Sequence, residues 1–119
     1  MKAMRSHPAA VRILRHALGG VAVALLVLSC GPGYTVPPVS PQLAKISPSP
    51  VSQLERGYSV HQAKCAKCHP FENPADYEAG ELTREIMPVM ARKAKLAPAD
   101  AQAVLAYLLA ARQLPPEAR

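Results

Sequence analysis

The sequence of 119 residues predicts a small all-α domain of about three helices, placed at residues 51–114. Three stretches carry apolar side chains at helical spacing, segments with proline or glycine separate them, and no stretch alternates in the manner of a strand. The chain has no Trp and one Phe, and a domain of this size buries little apolar surface on its own. The helices are therefore expected to pack around a bound group that completes the core.

The first helix is expected to begin with a capping box at residues 52–55, with Ser52 as its N-cap, and to run to about Lys67. Side chains at helical spacing give this helix one side that faces the core. That side consists of Leu54, Tyr58 and His61. Of these, His61 is expected at the edge of the core or in solvent.

Two further helices are expected after a loop at residues 70–80. Thr83 is predicted to cap the second helix, which runs to about Lys95, and Pro88 should bend or loosen its first turns because proline cannot donate a backbone hydrogen bond. The third helix is predicted at residues 98–112, since a proline suits the first turn of a helix. The remaining residues, 115–119, are expected to form a tail.

The segment Cys65-Ala66-Lys67-Cys68-His69 has the pattern C-x-x-C-H, which is typical of covalent attachment of a c-type haem. Two thiols three residues apart can add to the two vinyl groups on one edge of a porphyrin, and His69 can then offer a ring nitrogen to the iron. Its other ring nitrogen needs an orienting hydrogen bond, which we expect from a backbone carbonyl of residues 70–74. The sequence thus predicts one haem c bound to Cys65, Cys68 and His69.

Three other interpretations of this segment are open. A bare pair of cysteines with this spacing can be a redox dithiol, but the strand–helix context of that class is missing here. The two thiols with His69 and His61 could hold zinc, although structural zinc sites usually bring a second, distant ligand pair. The third is a chance match in a lysine-rich helix.

The N-terminal residues have the design of a secretory signal, with four basic residues followed by an apolar run at residues 17–28. This run is shorter than the ~20 residues of a membrane span. Residues 27–30, Val-Leu-Ser-Cys, resemble the cleavage box of bacterial lipoproteins, which implies cleavage before Cys30 and lipid attachment to it. An uncleaved anchor or plain secretion is the alternative, and all of these place the chain outside the cytoplasm.

The predicted organisation is a signal peptide at residues 1–29, the lipidated Cys30 with a Pro-rich tether to residue 50, the helical domain, and the tail. Six prolines between residues 31 and 50 predict an extended, semi-rigid tether without a core of its own. From Cys30 onward ten Lys or Arg stand against eight Asp or Glu. The formal charge of +6 is therefore mostly a property of the signal, and a nucleic-acid partner is not expected.

The sixth iron ligand is expected to be Met90, with Met87 as the alternative. Ile86, Met90 and Ala94 recur at four-residue intervals on one helical face, whereas Met87 lies on an adjacent face. Plain core filling is the other use of a methionine, and a ligand role for His61 is disfavoured because it shares a helix with the cysteines.

Residues from about 54 to 110 resemble a small class I-type monohaem cytochrome c. The segments that carry the resemblance are the haem motif, the following proline-bearing loop, the Ile-x-Pro-x-Met pattern at residues 86–90 and the final helix that ends in Tyr-Leu at residues 107–108. The resemblance implies a cytochrome c-like fold, assigns the sixth ligand to Met90, and implies that Gly57, Tyr58 and Tyr107 lie where the two terminal helices pack together.

The sequence therefore predicts a membrane-tethered electron carrier of a bacterial cell envelope that faces the periplasm and exchanges single electrons with redox proteins. No residues indicate acid–base catalysis. Basic residues are expected to ring the exposed edge of the haem or to form an ordinary solvated face: Lys64, Lys67, Arg92, Lys93 and Lys95. The alternatives are a haem-based sensor with an open sixth position and a haem-bearing accessory subunit of a larger oxidoreductase.

Overall fold

The computed structural model describes residues 33–118. These residues form four α-helices and three short 3₁₀ turns, joined by loops. Helix α1 spans Pro41–Ile46, α2 spans Val51–Lys64, α3 covers residues 79–93, and α4 spans Pro98–Ala111. The 3₁₀ turns are Cys65–Lys67, Pro74–Asp76 and Pro116–Ala118. Residues 33–118 contain no strand, so the all-α prediction is confirmed. The predicted signal peptide and Cys30 lie outside the described residues.

Helices α2 and α4 pack against each other at the centre of the fold, and Gly57 is the point of closest approach. A Cβ atom at Gly57 would lie 2.1 Å from the carbonyl oxygen of Ala103, nearer than any real Cβ contact. Only glycine allows the two backbones to come this close. The ring of Tyr107 packs edge-on against Tyr58 beside this contact, with centroids 5.6 Å apart.

The core extends from this helix pair to both ends of the described chain. Its fully buried or nearly buried members are Val36, Leu43, Leu54, Met87, Val104, Tyr107, Leu108, Ala110, Ala111 and Leu114. Tyr107 is completely buried. The predicted tail also contributes, because Ala118 packs against the core cluster.

Residues 33–50 do not form the tether that the sequence predicted, and the folded unit begins near Gly33 rather than at residue 51. Leu43 is completely buried, and the Tyr107 hydroxyl donates a 2.6 Å hydrogen bond to the carbonyl oxygen of Pro37. Helix α1 starts here because the Ser40 hydroxyl accepts from the Leu43 N–H at 3.1 Å and Pro41 occupies the first turn. We call residues 33–46 the N-terminal strap.

Helix α2 begins earlier than expected, so the predicted capping box is wrong. The N-cap is Pro50, whose carbonyl oxygen accepts from the N–H groups of Gln53 at 3.0 Å and Leu54 at 3.2 Å. Ser52 is therefore already inside the helix. The α-helix ends at Lys64 and continues as the 3₁₀ turn Cys65–Lys67, in agreement with the predicted end near Lys67.

Helix α3 has three parts: Ala79–Glu81, a π-helical turn at Leu82–Ile86, and Met87–Lys93. The N-cap is Glu78, whose N–H donates to the Glu81 carboxylate at 3.4 Å. Thr83 is not the cap that was predicted, because its hydroxyl donates at 2.7 Å to the carbonyl of Ala79 one turn earlier.

The π-helical turn immediately precedes Pro88, where a loosened turn was expected. The Met87 N–H donates to the carbonyl of Leu82, five residues back rather than four. A proline ring clashes with the carbonyl four residues before it, and a widened turn relieves that clash. The loosening expected around Pro88 therefore takes the form of a π-helical turn at Leu82–Ile86.

Helix α3 ends in a Schellman-type turn with Lys95 in the left-handed region at φ 52°. The N–H of Leu96 donates to the carbonyl of Ala91 and that of Lys95 to Arg92, which satisfies carbonyls at the helix end. Helix α4 then begins at Pro98 and ends at Ala111, within one residue of the prediction.

Candidate cofactor site

The end of α2 places Cys65 and Cys68 on the same side of the chain. The segment Cys65–Lys67 is a 3₁₀ helix, which has three residues per turn, so side chains three positions apart are eclipsed. Cys65 is half-buried and Cys68 exposed, and both are free thiols. Burial, with a smaller contribution from Cys68, raises the pKa of the Cys65 thiol. The two sulfur atoms can therefore act together on one edge of a bound group.

His69 is oriented by its own neighbour. Its Nδ1 atom lies 2.7 Å from the carbonyl oxygen of Pro70, and this nitrogen is the donor because a carbonyl can only accept. This confirms that residues 70–74 supply the orienting carbonyl. The hydrogen bond places a proton on Nδ1 and orients the ring, so Nε2 is the nitrogen left to bind a metal.

One cavity brings these residues together, and we call it the central cavity. Its volume is about 180 Å³, and it is partly open to solvent. Its walls come from α2, α3, α4 and the loop between α2 and α3. They consist of His61, Lys64, Cys65, Cys68, His69, Phe71, Glu72, Pro74, Tyr77, Leu82, Ile86, Met87, Met90, Lys93, Ala94, Val104 and Leu108.

Both candidate methionines line the central cavity. Met87 is only 6% exposed and belongs to the core cluster, whereas Met90 is half-buried. Helical periodicity predicted that the two methionines lie on different faces of the helix. The separation is less sharp than that, because a π-helical turn precedes Met87 and Pro88 lies between Met87 and Met90. The preference for Met90 as ligand stays a prediction.

His61 is part of the cavity wall, a role that the sequence did not predict. It is only 7% exposed, and its ring packs on Phe71 with centroids 4.7 Å apart and on Tyr107 at 5.9 Å. Burial lowers the pKa of this imidazole to about 4, so it is neutral at pH 7. Its Nδ1 atom has no hydrogen-bond partner. The helical i, i+4 relation to Cys65 could have revealed that His61 faces the same space.

The loop after His69 and the start of α3 form a polar rim. The Tyr77 hydroxyl donates to the Glu72 carboxylate, and this hydrogen bond raises the pKa of Tyr77. The Arg112 guanidinium, from the end of α4, holds the carbonyl of Tyr77 through two hydrogen bonds of 3.2 and 3.1 Å. These contacts hold the loop that contains His69 against the helical core.

The five basic residues expected around the site divide into two groups. Lys64 and Lys93 line the central cavity. The others are exposed on the same elements without lining it: Lys67, Arg92 and Lys95.

The donor set of the central cavity fits haem c. It offers two free thiols with eclipsed side chains, an imidazole held in the metal-binding tautomer, and two thioethers on a different helix, all within a largely apolar wall. Zinc needs a group of several clustered His, Cys, Asp or Glu ligands, and residues 33–118 contain no group of three or more such side chains placed to hold a metal ion.

No protein-family model, curated protein or solved structure matches the chain. Within residues 33–118, no helix is both long enough and apolar enough to cross a membrane.

Proposed function

We propose that the chain is a small c-type cytochrome that carries one electron at a time. Cys65 and Cys68 would hold haem through thioether bonds, and the iron would be bound by Nε2 of His69 and by Met90, with Met87 as the alternative. The proposal includes a cytochrome c-like arrangement of the helices around the group. When bound, haem iron supplies the one-electron chemistry.

The observation that carries this proposal is the convergence of both thiols, His69 and both methionines on the central cavity. These residues come from segments about 20 positions apart in sequence, and their side chains are those that c-type haem requires. The hydrogen bond from His69 to Pro70 adds the tautomer that ligation needs. A chance C-x-x-C-H match in a lysine-rich helix gives no reason for this convergence.

The protein residues set the environment of the iron. Leu82, Val104 and Leu108 form an apolar wall, and a haem held there with a methionine ligand would have a raised potential. The close crossing of α2 and α4 at Gly57 and Tyr107 lies beside the cavity, which is the helix pairing that the family resemblance implied. Lys64 and Lys93 are exposed residues of the cavity lining, and a redox partner would approach the bound group beside them.

The cellular setting forms part of the same proposal. Cys30 is lipidated after signal cleavage, and the domain faces the periplasm of a bacterial envelope on a membrane surface. The partners are redox proteins, with an acidic face matching the basic residues at the cavity mouth. A permanent place as accessory subunit of a larger oxidoreductase would use the same electron chemistry.

The deciding experiment is an optical spectrum of the protein expressed with haem-attachment machinery. We expect covalently bound haem, a low-spin ferric spectrum and the weak long-wavelength band of sulfur–iron ligation. Met90→Ala should abolish that band, while the matched variant Met87→Ala should keep it.

Other spectra would overturn parts of the proposal. A high-spin spectrum that responds to carbon monoxide without loss of a methionine ligand would favour the sensor. Absence of haem from a folded, soluble product would reject the cytochrome itself.

A further inference from the structure

We infer that His61 is a proton-binding site linked to the redox state of the haem, so that the protein takes up a proton at the Nδ1 atom of His61 when it accepts an electron. This inference rests on the proposed function and adds a regulated property to it, because the reduction potential then depends on pH. A cytochrome of this kind would release a proton as well as an electron on oxidation.

The first observation is a buried nitrogen atom, Nδ1 of His61, without a hydrogen-bond partner. His61 is more than nine-tenths buried, and its Nδ1 has no hydrogen-bond partner. Buried polar groups in native proteins are nearly always satisfied, so an exception calls for a functional explanation. An apolar ring at this position would pack on Phe71 and Tyr107 equally well, so packing alone does not explain an imidazole here.

The second observation is the place of His61 in the site. It lines the central cavity and lies four residues before Cys65 on α2, so the two side chains share one face of the helix. Cys65 would hold one edge of the bound group. A change of charge on that group would therefore act on the Nδ1 atom of His61 within the same cavity.

The charge relation fixes the direction of the effect. One electron from a one-electron donor converts ferric to ferrous iron and removes one positive charge from the low-dielectric cavity. An imidazolium nearby is then repelled less, so the proton affinity of His61 rises on reduction. The balance is one electron and one proton taken up together, and the only new bond is the N–H bond at Nδ1.

Several other titratable groups share the cavity with His61 and must be separated from it. Those that line the cavity are Lys64, Cys65, Cys68, His69, Glu72, Tyr77 and Lys93. Outside the cavity lining, Tyr107 packs on His61 and Tyr58 packs on Tyr107. Burial alone accounts for the lowered pKa of His61, to about 4. Among the described residues that line the cavity, Glu72 is the one carboxylate.

The test is the midpoint potential of the haem-loaded full-length protein, measured by spectroelectrochemistry from about pH 3.5 to pH 7. We expect the potential to fall as pH rises above about 4, with a slope that approaches but does not exceed ~59 mV per pH unit, the value for one proton per electron. His61→Phe should remove this slope, while the matched variant Glu72→Gln should keep it.

A second readout does not depend on the potential. Nitrogen-15 NMR of the diamagnetic ferrous protein follows the ring of His61 directly, and its titration midpoint should lie at higher pH than in the ferric form. A slope that persists unchanged in His61→Phe, or equal midpoints in the two redox states, would overturn the inference while leaving the cytochrome intact. Absence of a haem spectrum would instead overturn the proposed function.

Discussion

Gly57 is the single residue on which the packing of α2 against α4 most depends. A Cβ atom there would lie 2.1 Å from the carbonyl oxygen of Ala103 and 2.8 Å from the Cβ of Tyr107. Neither atom belongs to a flexible side-chain end, so the helices must move apart. We expect Gly57→Ala to lower the free energy of unfolding of the haem-loaded protein by about 3 kcal/mol, measured by urea denaturation.

Gly80→Ala is the matched control for this prediction. A Cβ at Gly80 would meet only the Arg84 guanidinium, at 2.7 Å, which is the far end of a flexible side chain. The stability should therefore change by less than ~1 kcal/mol, since alanine also favours the helix. Equal losses in the two variants would show that the crossing at Gly57 is not special.

The burial of His61 predicts an acid sensitivity of folding. Its pKa is lowered from 6.5 to about 4 by desolvation, so the folded state binds this proton less tightly than the unfolded chain. The contribution is fully present above pH ~6.5 and is lost as pH falls to about 4, amounting to about 3 kcal/mol. Urea unfolding at several pH values should show a smaller loss in His61→Phe than in the unsubstituted protein, and parallel curves would contradict this.

The helices were predictable from periodicity, but their caps and the N-terminal strap were not. Proline-rich composition indicated a linker, yet Val36, Val39, Leu43 and Ile46 recur at intervals of three and four residues. The Ser40-Pro41 pair is also a helix start. The N-cap of α3 is Glu78 rather than the expected Thr83. The acidic pair Glu78 and Glu81 satisfies the same backbone groups that a hydroxyl side chain usually does.

The C-x-x-C-H motif made the thiols and His69 identifiable from sequence, whereas most of the cavity wall was not. Phe71, Tyr77 and Val104 reach the cavity only through tertiary packing, which no local pattern encodes. The choice between Met87 and Met90 was equally hard, because a π-helical turn adds a residue to one turn and rotates the faces of the helix beyond it.

The N-terminal strap is predicted to stabilise the domain as an element. Leu43 is completely buried against the core, and removing its side chain creates a cavity. We expect Leu43→Ala to lower the free energy of unfolding by about 2–4 kcal/mol. Val51→Ala is the control, because Val51 is 47% exposed and should lose less than ~0.5 kcal/mol. A strap that behaves as a free linker would give no difference between the two variants.

The central cavity and the hydrophobic core of the molecule share side chains. Met87, Val104 and Leu108 belong to the core cluster and also line the cavity. A bound group therefore covers the same side chains that hold α2, α3 and α4 together. A group that fills the cavity also completes the core, so we expect folding to depend on attachment of the proposed haem.

The double variant Cys65→Ala, Cys68→Ala removes both attachment points and tests this dependence. We expect it to lose most of its helical circular dichroism and its cooperative thermal transition, because the apolar wall of the unfilled cavity is left in water. Lys67→Ala, at an exposed position between the two cysteines, is the matched control and should keep both haem and transition. A double variant that melts cooperatively with full helicity would show that the polypeptide alone completes the core.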